Sequence, residues 1–234
     1  MTPELIGVVV PARDEEASLP ACLAALDRAA RHPEVAGTPV LVVVVADRCT
    51  DGTAALAAAA GVRVVESAGE TVGDARHAGA LSVLAEGVRP GRVWLASTDA
   101  DSLVPEGWLA LQRAAAESGV AALAGLVQVT DWTGHPPHAA AAFADEYDRW
   151  RAGGAGAVHP HVHGANLGVR GDAYLAVGGF PPLAVSEDAA LVGALALTGA
   201  TVLRTPCCPV TTSARRTPRA PGGFGTDLDR LTGD

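Results

Sequence analysis

Short runs of apolar, largely β-branched residues alternate along this chain with alanine- and leucine-rich stretches of helical length, and that alternation restricts its fold more than any other feature. Leu5 to Val10, Val40 to Ala46, Val62 to Glu66, Arg92 to Ser97 and Ala121 to Val129 read as strands. Between them, about Ser18 to Arg31, Asp51 to Ala60 and Val72 to Glu86 read as helices, and a further helix starts near Pro105, whose fixed φ suits a first helical turn. Repeated βα units of this kind give an α/β fold with a mostly parallel sheet. The second half is less regular. A turn-rich loop from Trp132 to Pro137 precedes a helix from Ala139 to Arg151 and a glycine-rich connection from Gly153 to Pro160. A strand around Asn166 to Val169, a short helix from Asp172 and a helix opening near Ser186 follow, with late strands at Val202 to Arg204 and Val210 to Thr212. The segment from Ala214, rich in arginine, proline and glycine, reads as mobile unless a ligand orders it.

A length of 234 residues with 49% hydrophobic content is enough for one domain with a substantial core. The net charge of −9 disfavours nucleic acid or an anionic membrane surface as a partner, since both need a dense positive field. All 17 basic residues are arginines. No lysine is present to act as nucleophile, Schiff base or phosphate-cradling group, so an anionic ligand must be met by arginine, backbone amides or a metal. The N-terminus lacks a secretory pattern, and no apolar run approaches the ~20 residues of a membrane span. Cys22, Cys49, Cys207 and Cys208 lack CxxC spacing and read as reduced thiols. The expectation is a cytoplasmic chain without a membrane span.

In an open parallel sheet, ligands bind beyond the carboxyl ends of the strands. Those positions are acidic here: Arg13-Asp14-Glu15-Glu16 after the first strand, Asp47 to Asp51 after the second, and Asp99-Ala100-Asp101 after the fourth. For Glu16 and Asp51 a helix-capping role accounts for the acid. Asp99 and Asp101 are the sharpest pair, because an extended backbone puts i and i+2 on one face, and two carboxylates there suit Mg²⁺ or Mn²⁺ bound together with a substrate diphosphate. A dinucleotide fingerprint is absent, since PARDEE occupies the place of G-x-G-x-x-G. Glu187 and Asp188 fall in the first turn of a helix with Ser186 as N-cap. They either steady that helix start, or one of them, the other being turned about 100° away, faces a reaction centre as an ionised base. His159, His161 and His163 alternate on one side of HPHVH, which invites a zinc reading; Pro160 and the glycine-rich approach favour a loop. Arg215 and Arg216 are either a solvated basic tail or partners for a diphosphate. Trp94 and Trp108 read as core, while Trp132 and Trp150 flank the irregular part of the second half, where a ring is open to stacking on a ligand.

Six motifs occur in order: VVVPARDEEASLPACLAAL, VVADRCTDGTAALA, GDARHAGA, STDADS, GANLGVRGDAYLAVGGF and SEDAALVGAL. Together they resemble the family 2 glycosyltransferases with the A-type nucleotide-sugar-binding fold, over about Ile6 to Arg216. The resemblance implies a single Rossmann-like nucleotide-diphospho-sugar transferase domain with a mostly parallel central sheet flanked by helices. It would cover residues 1–216, with a nucleotide-binding half to about 130 and an acceptor-binding half from about 131, and leave 217–234 as a flexible tail. It also implies inverting transfer of a sugar from a nucleoside diphosphate donor, a UDP-sugar being favoured, to an acceptor hydroxyl of unknown identity, with Mg²⁺ or Mn²⁺ as cofactor. By the same resemblance Pro11, Arg13, Glu15, Asp47, Arg76 and Asp99 surround the nucleotide. Asp101 and Asp99 hold the metal, Asp188, beside Glu187, is the general base, and His163 and Asn166 line the acceptor side. Arg13 stands where the family commonly has an aromatic residue, and Asp14 where it has asparagine.

Two rival readings remain at this level. A sugar-phosphate nucleotidyltransferase shares the architecture and the metal, although it normally carries a glycine-rich basic loop after the first strand. A nucleotide-sugar-binding protein without turnover is the other.

Overall fold

The computed structural model describes residues 2–152 and 159–215; Arg216 and the segment expected to form a mobile tail lie outside them. The strands are β1 (Leu5–Ala12), β2 (Val40–Asp47), β3 (Arg63–Ser67), β4 (Val93–Ser97), β5 (Ala122–Gln128), β6 (Leu167–Arg170) and β7 (Val202–Thr211). The helices are α1 (Leu19–Ala30), α2 (Thr53–Ala59), α3 (Val72–Leu84), α4 (Trp108–Ser118), α5 (Ala139–Arg151), α6 (Gly171–Ala176) and α7 (Glu187–Leu197). One seven-stranded sheet runs through both halves in the order β3-β2-β1-β4-β6-β5-β7.

The pairs β1/β2, β2/β3, β1/β4 and β5/β7 are parallel. β6 is antiparallel to both of its neighbours. The sheet is therefore mixed but mostly parallel, and β6 has a positional consequence. Parallel strands bring the residues that follow them to the carboxyl edge, whereas an antiparallel strand brings the residues that precede it. The register Ser97↔Leu167 thus sets the segment before Leu167 beside the exit of β4. The two late strands expected from the sequence are one strand, β7, with an irregularity in its pairing to β5 between Gly125 and Val127. The expected helix at Pro105 begins three residues later, after a turn.

Apolar residues cover both faces of the sheet, as continuous apolar strands require. Val8 and Val10 of β1 join Trp94, Trp108 and Leu26 in one cluster. Val9 points the other way, into a cluster with Val43, Val45, Leu95 and Leu191. Helix α3 packs on that second face through Gly79, where a Cβ would lie 2.5 Å from Val9 Cγ1. Its start is fixed by a capping box between Thr71 and Asp74. Both features set the position of Arg76, one turn into the helix.

Candidate active site

The chain leaves β1 on one side to form β2 and β3, then returns to place β4 on the other. Ligands bind beside such a reversal, outside the carboxyl ends of the strands. A cavity of about 470 Å³ lies there, lined among others by Pro11, Arg13, Asp47, Asp99, His161 and Asp188. Its floor is braced by acids that do not face it. Asp14, in the left-handed region at φ 52°, accepts from the Thr50 amide at 2.7 Å, and Glu16 accepts from the Gly52 amide at 2.8 Å. The amide of Glu16 donates in return to Asp51, so the loops after β1 and β2 are laced together. Asp51 accepts from the Thr53 amide at the start of α2, in line with its expected place at a helix start, whereas Glu16 makes no capping bond to α1 and instead holds the loop before α2. Asp14, Cys49 and Asp51 bring possible ligand atoms within 4.8 Å of one another, but none of the three lines the cavity, and both acids are engaged in these loop bonds.

Asp47 ends β2, nearly buried in the wall. Its Oδ1 lies 3.5 Å from Arg48 Nε and has no hydrogen-bond partner among the described residues. Burial raises its pKa, against the opposing charge of Arg48. Asp99 and Asp101 lie beyond the end of β4 in a turn closed by Ser102 N–H donating to Asp99 O, at 3.1 Å. The extended backbone assumed for this pair is therefore replaced by a turn. Ala100 points into the core, and the carboxylates on either side of it still line the cavity. They are met by different arginines. Arg76 Nη2 donates to Asp99 Oδ1 at 2.6 Å, while Arg215 Nη2 donates to Asp101 and, at 2.6 Å, to Glu15 Oε1. Desolvation pushes the Asp101 carboxyl up to about 6, despite Arg215.

Arg76 is the hub of the site. Beyond Asp99, its Nε donates to Glu187 Oε1 at 2.9 Å and its Nη1 to Ser97 Oγ at 2.6 Å and Gly164 O at 3.3 Å. Gly164 has to lack a side chain, because a Cβ there would fall 2.5 Å from Arg76 Nη2. Desolvation opposes the charge of Arg76, but Asp99 and Glu187 outweigh it and keep the group fully protonated. Asp188 diverges from its neighbour, as successive helical residues do. One of its oxygens accepts from Gly164 N–H at 2.5 Å and the other from Ala189 N–H at 2.7 Å. Burial raises its pKa, while the Arg76 charge pulls the other way.

The chain has relatives among known proteins. The sequence profile described as Glycosyl transferase family 2 matches residues 7–167, more than half of the chain. The chain belongs to glycosyl transferase family 2. No curated protein sequence matches it at a significant level. Solved structures share the family fold. A mannosyltransferase of Pyrobaculum calidifontis, PcManGT, in complex with GDP-Man and Mn²⁺ superimposes with a TM-score of 0.62 at 19% identity, over 92% of this chain and 58% of that one. TarS residues 1–349 of S. aureus in complex with UDP-GlcNAc gives 0.65 at 17% identity, over 97% and 65%. Glucosyl-3-phosphoglycerate synthase of Mycobacterium tuberculosis, in complex with Mn²⁺, UDP and phosphoglyceric acid, gives 0.59 at 15% identity, over 91% and 72%. The chain thus spans less than two thirds of the first two relatives' lengths.

Measured against the family motifs, Pro11, Arg13, Glu15, Asp47, Arg76, Asp99, Asp101, His163, Glu187, Asp188 and Arg215 all line the one cavity. Arg76 and Glu187 do so as a buried ion pair whose charges are turned on each other. Asn166 does not line it. It is fully buried, and its amide is taken up by Trp108 Nε1–H at 2.8 Å and by the carbonyls of Leu126 and Cys208, because the strand edge beneath it needs those bonds. Asn166, expected on the acceptor side, is here bonded into the framework beneath the cavity. Ser186 does precede α7, but at φ 61° its side chain makes no capping bond. Neither Trp132, against Phe143, nor Trp150, against His159, reaches the cavity. The three histidines stack along one side, their rings 6.3 and 5.9 Å apart and nearly parallel, and among the described residues they do not converge as a set of metal ligands. Sequence reasoning missed Ser97 and Gly164 as partners of Arg76. Ser97 ends β4, and Gly164 reaches Arg76 through the antiparallel direction of β6, which no feature of the sequence marks. No helix among the described residues is long and apolar enough to cross a membrane.

Proposed function

We propose that this chain transfers a sugar from a nucleoside diphosphate sugar to an acceptor hydroxyl, with inversion at the anomeric carbon and with a divalent cation. One observation carries the reading. A cluster fit for a diphosphate and its cation, Asp99, Asp101 and Arg215, shares a cavity with a carboxylate, Asp188, that two backbone amides hold in place. Family membership and the nucleotide or nucleotide-sugar complexes of PcManGT, TarS and the glucosyl-3-phosphoglycerate synthase support it.

The donor set at Asp99 and Asp101 fits a hard cation, since both ligands are carboxylate oxygens and a guanidinium already rests on Asp101. A divalent cation held there would offset charge gathering on the departing diphosphate. Asp47, with a buried oxygen that has no hydrogen-bond partner among the described residues, supplies an acceptor for a base N–H; Pro11, Arg13 and Glu15 complete the nucleotide wall. We assign the half to about residue 130 to the donor and the half from about 131 to 216 to the acceptor, with His163 on the acceptor side and Arg215 reaching back to the donor diphosphate. Asp188 takes the proton of the acceptor hydroxyl as its oxygen forms the new bond to the anomeric carbon. The bond from that carbon to the diphosphate oxygen breaks with its electron pair, and the nucleoside diphosphate leaves. Glu187 is tied to Arg76 and orients the first turn of α7.

Incubating the protein with UDP-, GDP- and dTDP-sugars and Mn²⁺ tests this directly. Release of nucleoside diphosphate is expected with at least one donor, and Asp188→Asn should bind that donor yet turn over poorly. A thermal shift without any product would reduce the chain to a binding protein. Wild-type transfer by Asp188→Asn would remove the base assignment.

A further inference from the structure

Two arginines rest on the paired acids beyond β4, and they are not equivalent. Arg76 is buried and bonded to four acceptors drawn from β4, the turn before β6 and α7. Arg215 has 28% of its side chain exposed, and a single nitrogen, Nη2, bridges Glu15 and Asp101. Those two acids are 6% and 13% exposed, so they form a buried acidic pair that needs positive charge nearby. The backbone that brings Arg215 there is pinned behind it. Leu103 and Thr211 exchange amide bonds, Ser102 Oγ donates to Thr212 Oγ1 at 2.9 Å, and Ala214 O is bonded to His135. The guanidinium therefore has a set address, while its side chain keeps an exposed path away from it.

Building on the reading above, we propose that Arg215 is an internal stand-in for the divalent cation. In the donor-free protein the guanidinium occupies Asp101. A cation and a guanidinium repel each other and cannot both sit at full strength on one carboxylate, so cation binding must first displace Arg215. A donor diphosphate offers the displaced group a better partner, because guanidinium and phosphate pair through parallel charge-assisted hydrogen bonds. Exchange of partners then makes cation and nucleotide bind together: each favours the state in which Arg215 has left Asp101, and the coupling is reciprocal. The free cation alone binds weakly, which keeps the acids from being filled before the donor arrives.

The test reads Mn²⁺ occupancy from the electron paramagnetic resonance of free aqueous Mn²⁺, with the intact chain and no acceptor. Arg215→Gln is expected to bind Mn²⁺ alone roughly tenfold more tightly than wild type, since one positive charge within bonding distance is gone. In wild type, UDP or GDP should tighten Mn²⁺ binding, and in Arg215→Gln that enhancement should shrink. Arg215→Lys should keep the wild-type pattern, and adding Asp101→Asn to Arg215→Gln should erase the gain. If Arg215→Gln binds Mn²⁺ no more tightly than wild type while Asp101→Asn weakens binding, the stand-in is overturned and the metal site stands. If no variant takes up Mn²⁺ with or without either nucleotide, the metal reading falls and the stand-in with it.

Discussion

Arg76 and Glu187 stand 111 residues apart in sequence and meet as an ion pair, Nε to Oε1 at 2.9 Å, with only 5% and 6% of their side chains exposed. The pair ties the first turn of α7 to α3, and through Arg76 it reaches Asp99 and Gly164 as well. Asp188, the residue next to Glu187, is linked to that guanidinium through Gly164, whose amide donates to Asp188 and whose carbonyl accepts from Arg76.

Breaking that pair from one side should be severe. Arg76→Met leaves the Glu187 carboxylate buried without a counter-charge and is expected to lower stability by about 3–5 kcal/mol. The double change Arg76→Met with Glu187→Met should recover a large part of the loss, because the buried Glu187 charge is then gone and Asp99, whose side chain is 34% exposed, keeps its contact with water. Urea unfolding of the three proteins checks both statements.

Asp188→Asn should retain donor affinity and lose transfer by about 10²–10⁴-fold, the range of a positioned proton acceptor. Burial raises the Asp188 carboxyl above its ordinary 3.8. A base must be ionised to act, so the acid limb of kcat/KM should lie at higher pH than an exposed aspartate would give. For folding the sign is opposite to that of a salt-bridged acid: the contribution of this group is greatest below the ordinary value and declines as pH rises through the raised one. A pH–rate profile, compared with urea midpoints across the same pH range, reads both signs.

His163 should remain neutral throughout that profile. Burial, then the neighbouring His161 and His159, push its imidazole down to about 3. Its ring resonances in NMR should accordingly show no titration between roughly pH 5 and 8, and His163→Gln should leave the acid limb where it was.

Asn166→Ala should behave as a core lesion. The indole N–H of Trp108 and the carbonyls of Leu126 and Cys208 lose a shared partner, each at about 1–3 kcal/mol if left unsatisfied. A fall in the thermal midpoint with KM for the acceptor unchanged in the surviving fraction is the expected result.

Stripping divalent cations with EDTA should stop transfer, and added Mn²⁺ or Mg²⁺ should restore it. Asp101→Asn should raise the cation concentration needed for half-maximal rate by more than tenfold, on the order of one lost charge–charge contact. A cation titration of initial rate gives both numbers.

The first five strands were legible because each is a short apolar run and its period is local. The DxD acids, Asp47 and the Glu187-Asp188 pair were legible for a related reason: each follows an element end that the sequence marks. What the sequence did not mark is direction. Four residues of β6 carry no sign of running antiparallel, and that direction brings the segment before it, with Gly164, to the cavity. The partners of Arg76 were hidden for the same reason, since Ser97, Gly164 and Glu187 come from segments far apart in the chain. Asp99 and Asp101 were placed on one cavity for an incorrect local cause, a strand in place of a turn.

The bond from Arg215 to Glu15 spans 200 residues, and its bond to Asp101 spans 114. Their donor comes after the last strand, β7, and one acceptor after the first. A contiguous fragment that stops short of residue 215 lacks the guanidinium that bridges this acidic pair, however well its own strands form. During synthesis the donor edge therefore stays electrostatically open until the end of β7 has emerged and docked beside β5. A chain cut just before Arg215 should keep its sheet while losing the contact that completes the edge.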